Sequence, residues 1–228
     1  GLVAAPFTPL RADGSLALDI VPALAAQLAR NGVKGAFICG TTGEGYSLTT
    51  AERRSVAEAW RAATPPGVAL IVHIGHLSLG EARALARHAQ EIGADAVAAM
   101  APSFFKPAGA RELAEWCRAA AAAAPRLPFY YYHMPAMTGV TLSAAAFLAE
   151  AGNRIPTLAG VKFTHEDLDD YRAARALDGG RFDVLFGRDE ILLSGLVHGA
   201  RGAVGSTYNY AAPLYQRILR AYAAGDLA

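Results

Sequence analysis

A chain of 228 residues that is 53% hydrophobic can bury one large α/β core or two small ones, and its composition excludes a disordered segment. Its 21 basic and 20 acidic residues leave a formal charge of +1, which gives no footprint for nucleic acid or an anionic membrane and favours work on a small molecule. Cys39 and Cys117 are far apart and lack metal-type spacing, so they read as reduced thiols of a cytoplasmic protein.

The first ten residues are apolar, carry Pro6 and Pro9, and show neither a basic leader nor a small-residue cleavage pattern. They are expected to begin a first strand and not a signal peptide. No apolar stretch reaches the roughly 20 residues a bilayer span needs. From there short apolar runs alternate with alanine-rich amphipathic segments to the end, without a linker or a break in composition. Strands are expected at 2–6, 35–38, 69–73, 96–100, 129–132, 158–162, 183–186 and 202–204. Helices are expected at 18–30, 50–63, 79–92, 111–124, 143–151, 166–176, 190–197 and 212–223. Thr49 or Thr50 followed by Glu52 starts one helix, and Ser78 with Glu81 fits a capping box for the next. Gly32, Gly93 and Gly199 stand where left-handed cap residues belong. Eight β/α units predict a single domain over 1–228, a closed (β/α)8 barrel whose chemistry lies at the C-terminal strand ends.

Polar groups collect at those ends. After the second strand comes Cys39-Gly40-Thr41-Thr42-Gly43-Glu44-Gly45, a glycine-rich turn whose amides and two hydroxyls suit a carboxylate, or which is simply a tight turn. The third strand ends near His73 and His76, a His-x-x-His pair that a metal-dependent aldolase could use, with His133 and His165 on nearby strand ends. Tyr130, Tyr131 and Tyr132 alternate in direction along the fifth strand, so Tyr130 and Tyr132 share a face. The sixth strand ends at Lys162, one of three lysines beside eighteen arginines. A guanidinium stays protonated, whereas a desolvated amine can lose its proton and attack a carbonyl. Lys162 is therefore either a nucleophile or an interior cation paired with Glu166 or Asp167. Gly187-Arg188-Asp189-Glu190 and Gly205-Ser206-Thr207-Tyr208-Asn209 follow the last two strands and suit a polyhydroxylated substrate, or cap the next helices.

Five runs in this order, Gly40-Thr41-Thr42-Gly43-Glu44, Tyr132-His133-Met134-Pro135, Gly160-Val161-Lys162-Phe163-Thr164, Gly187-Arg188-Asp189-Glu190 and Gly205-Ser206-Thr207-Tyr208-Asn209, resemble the N-acetylneuraminate lyase and dihydrodipicolinate synthase superfamily across nearly the whole chain. The resemblance is greatest to the animal-type sialic acid lyases, through residues 128–140 and 73–78. It implies a class I aldolase, a carbon-carbon lyase of sialic acid metabolism that needs no metal or cofactor. Lys162 would form the Schiff base with the 2-keto carbon, Tyr132 would relay protons, and Thr41 and Thr42 would hold the pyruvate carboxylate. Thr164 and Gly187 would face the reacting hydroxyl, and Asp189, Glu190 and Ser206 the sugar's hydroxyl tail. It also implies a homotetramer, and further helices beyond Asp226, two residues from the end of this chain at Ala228.

Three departures bear on substrate and assembly. Ala136 and Met137 follow Pro135 where the synthase branch has an arginine for a second carboxylate. His133 replaces the family's common asparagine, as in the animal-type lyases. A tyrosine lent by the neighbouring subunit would fall near Phe104. The expected activity is cleavage of N-acetylneuraminate to N-acetylmannosamine and pyruvate. Alternatives are an aldolase for another 2-keto-3-deoxy sugar acid, a synthase-like condensing enzyme, or a non-catalytic barrel that binds pyruvate or a sugar acid.

Overall fold

A computed structural model describes residues 1–226, so the last two residues of the expected domain lie outside the described residues. Strands β1 (Leu2–Ala4), β2 (Gly35–Ile38), β3 (Ala69–His73), β4 (Ala96–Met100), β5 (Phe129–His133), β6 (Leu158–Phe163), β7 (Asp183–Phe186) and β8 (Ala203–Gly205) close into a barrel in chain order, all parallel, with β8 paired to β1. Helices α1 (Val21–Arg30), α2 (Thr50–Ala63), α3 (Leu79–Glu91), α4 (Ala110–Ala121), α5 (Pro135–Thr138), α6 (Ala144–Ala151), α7 (Leu168–Ala176), α8 (Leu192–Val197) and α9 (Tyr208–Ala224) connect and surround them. Among the described residues no helix is long and apolar enough to cross a membrane.

Alternation along each strand splits the core in two. Outward side chains such as Leu70, Val97, Tyr131 and Phe163 join the apolar helix faces in one large cluster. Inward ones, Phe37, Ile71, Met100, Tyr132, Leu185 and Val204 among them, fill the barrel in a smaller cluster. Each fully buried Leu, Val or Phe contributes about 1.5–3 kcal/mol, so both clusters hold the strands in register.

That register contains a slip that decides where Lys162 points. Phe129 pairs with Leu158 but Tyr130 pairs with Gly160, leaving Ala159 as an extra residue in β6. Beyond the bulge Tyr132 pairs with Lys162, and Lys162 with Leu185 of β7, so all three project to the inside. Without the extra residue Tyr132 would face Val161 and the amine would turn into the helical layer, because a one-residue slip exchanges the faces.

Several boundaries differ from expectation for local reasons. β1 ends at Ala4, two residues early: Ala5 still donates to Gly205, but Pro6 has no N–H to continue the ladder. α7 begins at Leu168 because Asp167 caps it by accepting from the Asp170 amide. α9 begins four residues early and runs through Pro213; the Asn209 carbonyl that the proline leaves unpaired accepts from Gln27 instead. The turn α5 was not expected, although Pro135 at its first position and left-handed Gly139 at its end favour it. Thr49 makes the full capping box with Glu52. Ser78 makes only half of one: it accepts from the Glu81 amide at 3.4 Å, while its own amide donates to His76 Nδ1. Gly32, Gly93 and Gly199 all have positive φ, as expected.

After β2 the chain turns sharply, with Cys39 and Glu44 both in the left-handed region at φ 55° and 52°. Gly45 lies so close that a Cβ there would overlap the Cys39 carbonyl, which is backbone and cannot yield. Gly45→Ala is expected to lower stability by about 2–4 kcal/mol, as strain in a fixed turn does. A urea midpoint equal to the parent's would show that the turn is looser than described.

Candidate active site

At the C-terminal mouth of the barrel lies a cavity of about 360 Å³. All nine residues expected from the sequence line it: Thr41 and Thr42 after β2, Tyr132 on β5, Lys162 and Thr164 at the end of β6, Gly187, Asp189 and Glu190 after β7, and Ser206 after β8.

Lys162 is 4% exposed and has no carboxylate partner among the described residues. Pairing with Glu166 or Asp167 is ruled out by geometry: Glu166 binds Arg188 at 2.8 Å, and Asp167 caps α7. The amine instead rests over aromatic faces, Nζ standing 3.6 Å from the Tyr132 ring centroid and 4.5 Å from that of Phe37. Burial pushes its pKa below the usual lysine value, and the neighbouring Tyr132 and Asp189 only partly oppose the shift. Burial alone would raise the Tyr132 phenol, but the neighbouring Lys162 charge, with the contact to Thr41, carries it below its ordinary value. A lowered amine beside a lowered phenol is a pair poised to pass a proton from one to the other.

The threonine turn is held from behind. Thr8 Oγ1 donates to the Gly43 carbonyl at 2.7 Å, and Gly45 N donates to the Gly40 carbonyl. His73 is fully buried; its Nδ1 lies 3.0 Å from the Cys39 carbonyl, and its Nε2 accepts from the Met100 amide at 3.3 Å. Burial, reinforced by the charges of Arg53 and Lys162, keeps its pKa well below the usual imidazole value. The neutral tautomer with hydrogen on Nδ1 satisfies both contacts, so neither nitrogen is left for a metal and the His73/His76 alternative fails. Arg53, 1% exposed, donates to the carbonyls of His73 and Gly75. Thr41 Oγ1 stands 3.3 Å from Tyr132 Oη, which ties the turn to the phenol. Among the described residues no backbone carbonyl takes the amide of Thr41 or Thr42, leaving both for a carboxylate.

The other expected residues differ in how free they are. Thr164 Oγ1 is buried without a partner, a hydroxyl placed at the cavity with nothing to bind. A Cβ on Gly187 would overlap that hydroxyl, so glycine is needed there. Asp189 is 5% exposed and its Oδ2 accepts from Thr207 N at 2.7 Å and Thr207 Oγ1 at 2.6 Å. One of its oxygens is thus committed to the β8 loop. Glu190 stands on the rim near Arg188, and Ser206 opens both to this cavity and to an apolar groove beside it.

Of the six other residues that line it, two bring a side-chain heteroatom to which no role of its own was assigned from sequence. Arg188 lies between Glu166 and Glu190 and brings a cation to the rim; its place inside the Gly187–Glu190 run was the available signal. Met134 reaches the phenol through its sulfur, and nothing in an apolar side chain announces that. Ala136 lines the cavity and Met137 is exposed, so no guanidinium enters from this loop. Phe104 and Phe105, stacked edge to face and 74% and 86% exposed, bring no hydroxyl to the mouth.

The fold and much of the sequence recur in known proteins. N-acetylneuraminate lyase of Mus musculus is 46% identical over 231 residues, covering 100% of this chain and 72% of that protein. That of Homo sapiens is also 46% identical, covering 99% of this chain and 72% of the relative. The solved Proteus mirabilis N-acetylneuraminate lyase superposes with a TM-score of 0.97 at 44% identity, over 99% of this chain and 76% of that one. The profile of the Dihydrodipicolinate synthetase family matches residues 1–228, and the chain belongs to that family.

Proposed function

We propose that the protein is a class I aldolase that cleaves N-acetylneuraminate to N-acetylmannosamine and pyruvate through an imine on Lys162. The observation that carries this is the Lys162 amine, buried without a counter-charge against Tyr132 at the mouth of the barrel. The neutral amine adds to the C2 ketone of the open-chain sugar acid, and loss of water with uptake of one proton leaves an iminium. Tyr132, acting directly or through the substrate carboxylate, takes the C4 hydroxyl proton. The C3–C4 electron pair moves into the iminium, the aldehyde sugar departs, and an enamine of pyruvate remains on Lys162. Returning the proton to C3 regenerates an iminium, and adding water to it, with release of the proton taken up at the first step, frees pyruvate and restores the neutral amine.

In this scheme Thr41 and Thr42 hold the carboxylate with hydroxyls and free amides. Thr164, lacking a partner, and Gly187, lacking a Cβ, flank the reacting hydroxyl. The free oxygen of Asp189, with Glu190 and Ser206, takes the hydroxyl tail. Ala136 in place of a cation speaks against a substrate with a second carboxylate, which favours a sugar acid over the condensing reaction. The names of the similar proteins favour N-acetylneuraminate among sugar acids.

Borohydride reduction in the presence of pyruvate, followed by peptide mass mapping, tests the scheme. A reduced three-carbon adduct is expected on Lys162; no adduct, or one on Lys34 or Lys106, would sink it. We also infer a homotetramer in the cytoplasm. The family resemblance and the exposed Phe104, Phe105 and Met137 near the mouth support assembly, and two buried, unpaired thiols support a reducing compartment. Sedimentation of the full chain tests the assembly.

A further inference from the structure

Three atoms at the cavity wall form a closed triangle. Met134 Sδ lies 3.0 Å from Tyr132 Oη and 3.4 Å from Thr41 Oγ1, and the two oxygens are 3.3 Å apart. The sulfur is well fixed. Met134 directly follows β5, and its carbonyl accepts from the amides of Met137 and Thr138 and from Thr138 Oγ1, locking its backbone at the start of α5. Its side chain, half-buried, packs against the inward cluster that holds Tyr132 and lines the cavity.

A thioether has lone pairs and no proton, so it can only accept. Two hydroxyl protons and three edges allow three arrangements within the triangle. Both hydroxyls donate to sulfur, or threonine donates to tyrosine and tyrosine to sulfur, or the reverse. In all three the chain of protons ends on Met134. We propose that Met134 is a positioning residue of the proton relay, whose sulfur sets the direction of the Tyr132 and Thr41 hydroxyls in the empty site and yields them when a stronger acceptor arrives. The proposal rests on the lyase reading of the cavity.

The choice of sulfur has a chemical consequence. A thioether is a weak acceptor and is not protonated near neutral pH, so it orients a phenol without trapping its proton. A substrate carboxylate or a developing alkoxide is a far stronger acceptor and takes the hydroxyls over at little cost. An amide oxygen at the same place would compete with substrate. A hydrocarbon would leave both hydroxyls undirected. The other groups facing the phenol do not substitute for the sulfur. Lys162 lies over the ring face, His73 meets the ring edge as a neutral imidazole, and Thr164 has no partner within hydrogen-bond distance.

Met134→Leu and Met134→Gln in the full chain test the idea, read by pyruvate trapping with borohydride, by kcat and KM for N-acetylneuraminate, and by the pH profile. Both variants should trap pyruvate on Lys162 as the parent does. Met134→Leu, which keeps the volume, should lower kcat about three- to tenfold with KM within about twofold, the worth of one orienting hydrogen bond. The limb set by ionisation of the Tyr132 phenol should move to lower pH, because the sulfur stabilises the protonated phenol; in Met134→Gln that limb stays or moves up while kcat falls. A leucine variant with the parent's kcat and the parent's Tyr132 limb overturns the inference, as does a fall in kcat with a raised KM and an unmoved limb, which marks a packing role only. Failure of the parent itself to trap pyruvate would overturn the lyase reading and this inference together, whereas a parent that traps beside an unaltered leucine variant sinks only the role of Met134.

Discussion

Replacing Lys162 by arginine is expected to abolish sugar-acid cleavage, lowering kcat by at least about 10⁴-fold, because a guanidinium keeps a cation at the site and cannot form an imine. Borohydride with pyruvate should then leave the protein unmodified, and cleavage at even a few per cent of the parent rate would show that the bond is broken by another route. Lys162→Met separates this loss from misfolding. The buried amine has a folded pKa below its ordinary 10.5. Between the folded value and 10.5 the unfolded chain holds a proton that the folded chain lacks, so stability rises with pH across that window. The burden is full below the folded value and absent above 10.5. Methionine removes the group, so the variant should be more stable than the parent at neutral pH by about 1–3 kcal/mol, with the gap closing as pH approaches 10.5. Chemical unfolding across pH reads this directly, and a methionine variant less stable than the parent at neutral pH would mean that the amine has a compensating partner.

The alternation of apolar runs with amphipathic segments was enough to locate eight strands and a barrel, because strand and helix periods differ and each unit repeats them. The address of Lys162 followed from the same pattern, since a barrel places its chemistry at the C-terminal strand ends. Its direction was not legible. An apolar run with a lysine at its end fixes neither the pairing register nor the face, and the extra residue at Ala159 is a property of two strands together. The glycines carried more information. Gly45, Gly160 and Gly187 each stand where a Cβ would meet backbone or a site hydroxyl, and two of the three lie inside the family-like runs.

Charge was the least reliable guide to depth. Arg53 reads as a solvated helix residue but is buried, because two carbonyls of the β3 loop accept from it. Asp189 reads as a free carboxylate for a sugar, yet it gives one oxygen to Thr207 eighteen residues on, a partner that spacing alone does not show. Glu166 and Asp167, near Lys162 in sequence, spend their charge on Arg188 and on a helix cap. Met134 is the opposite case: an apolar residue in the strand's wake whose one polar property, two lone pairs on sulfur, matters only because Tyr132 and Thr41 converge on it.

Tyr132→Phe is expected to lower kcat for cleavage by about 10²–10⁴-fold, the usual worth of a positioned general acid–base. The ring should stay in place: it packs edge to face on Phe37 at 5.4 Å and supports the amine from below, and neither contact needs the hydroxyl. Imine formation should therefore survive, and its pH dependence should move in a defined direction. Tyr132 raises the Lys162 pKa against the lowering effect of burial, so its loss lets the amine fall further. More neutral amine is then present at a given acidic pH, and the acid limb of pyruvate trapping shifts to lower pH. Trapping measured across pH, beside single-turnover cleavage of N-acetylneuraminate, separates the two steps. Equal losses in trapping and cleavage would place Tyr132 in building the imine and not in moving the C4 proton. Cleavage at the parent rate would leave the substrate carboxylate to carry that proton alone, and Thr41 and Met134 would then orient a phenol with no part in the reaction.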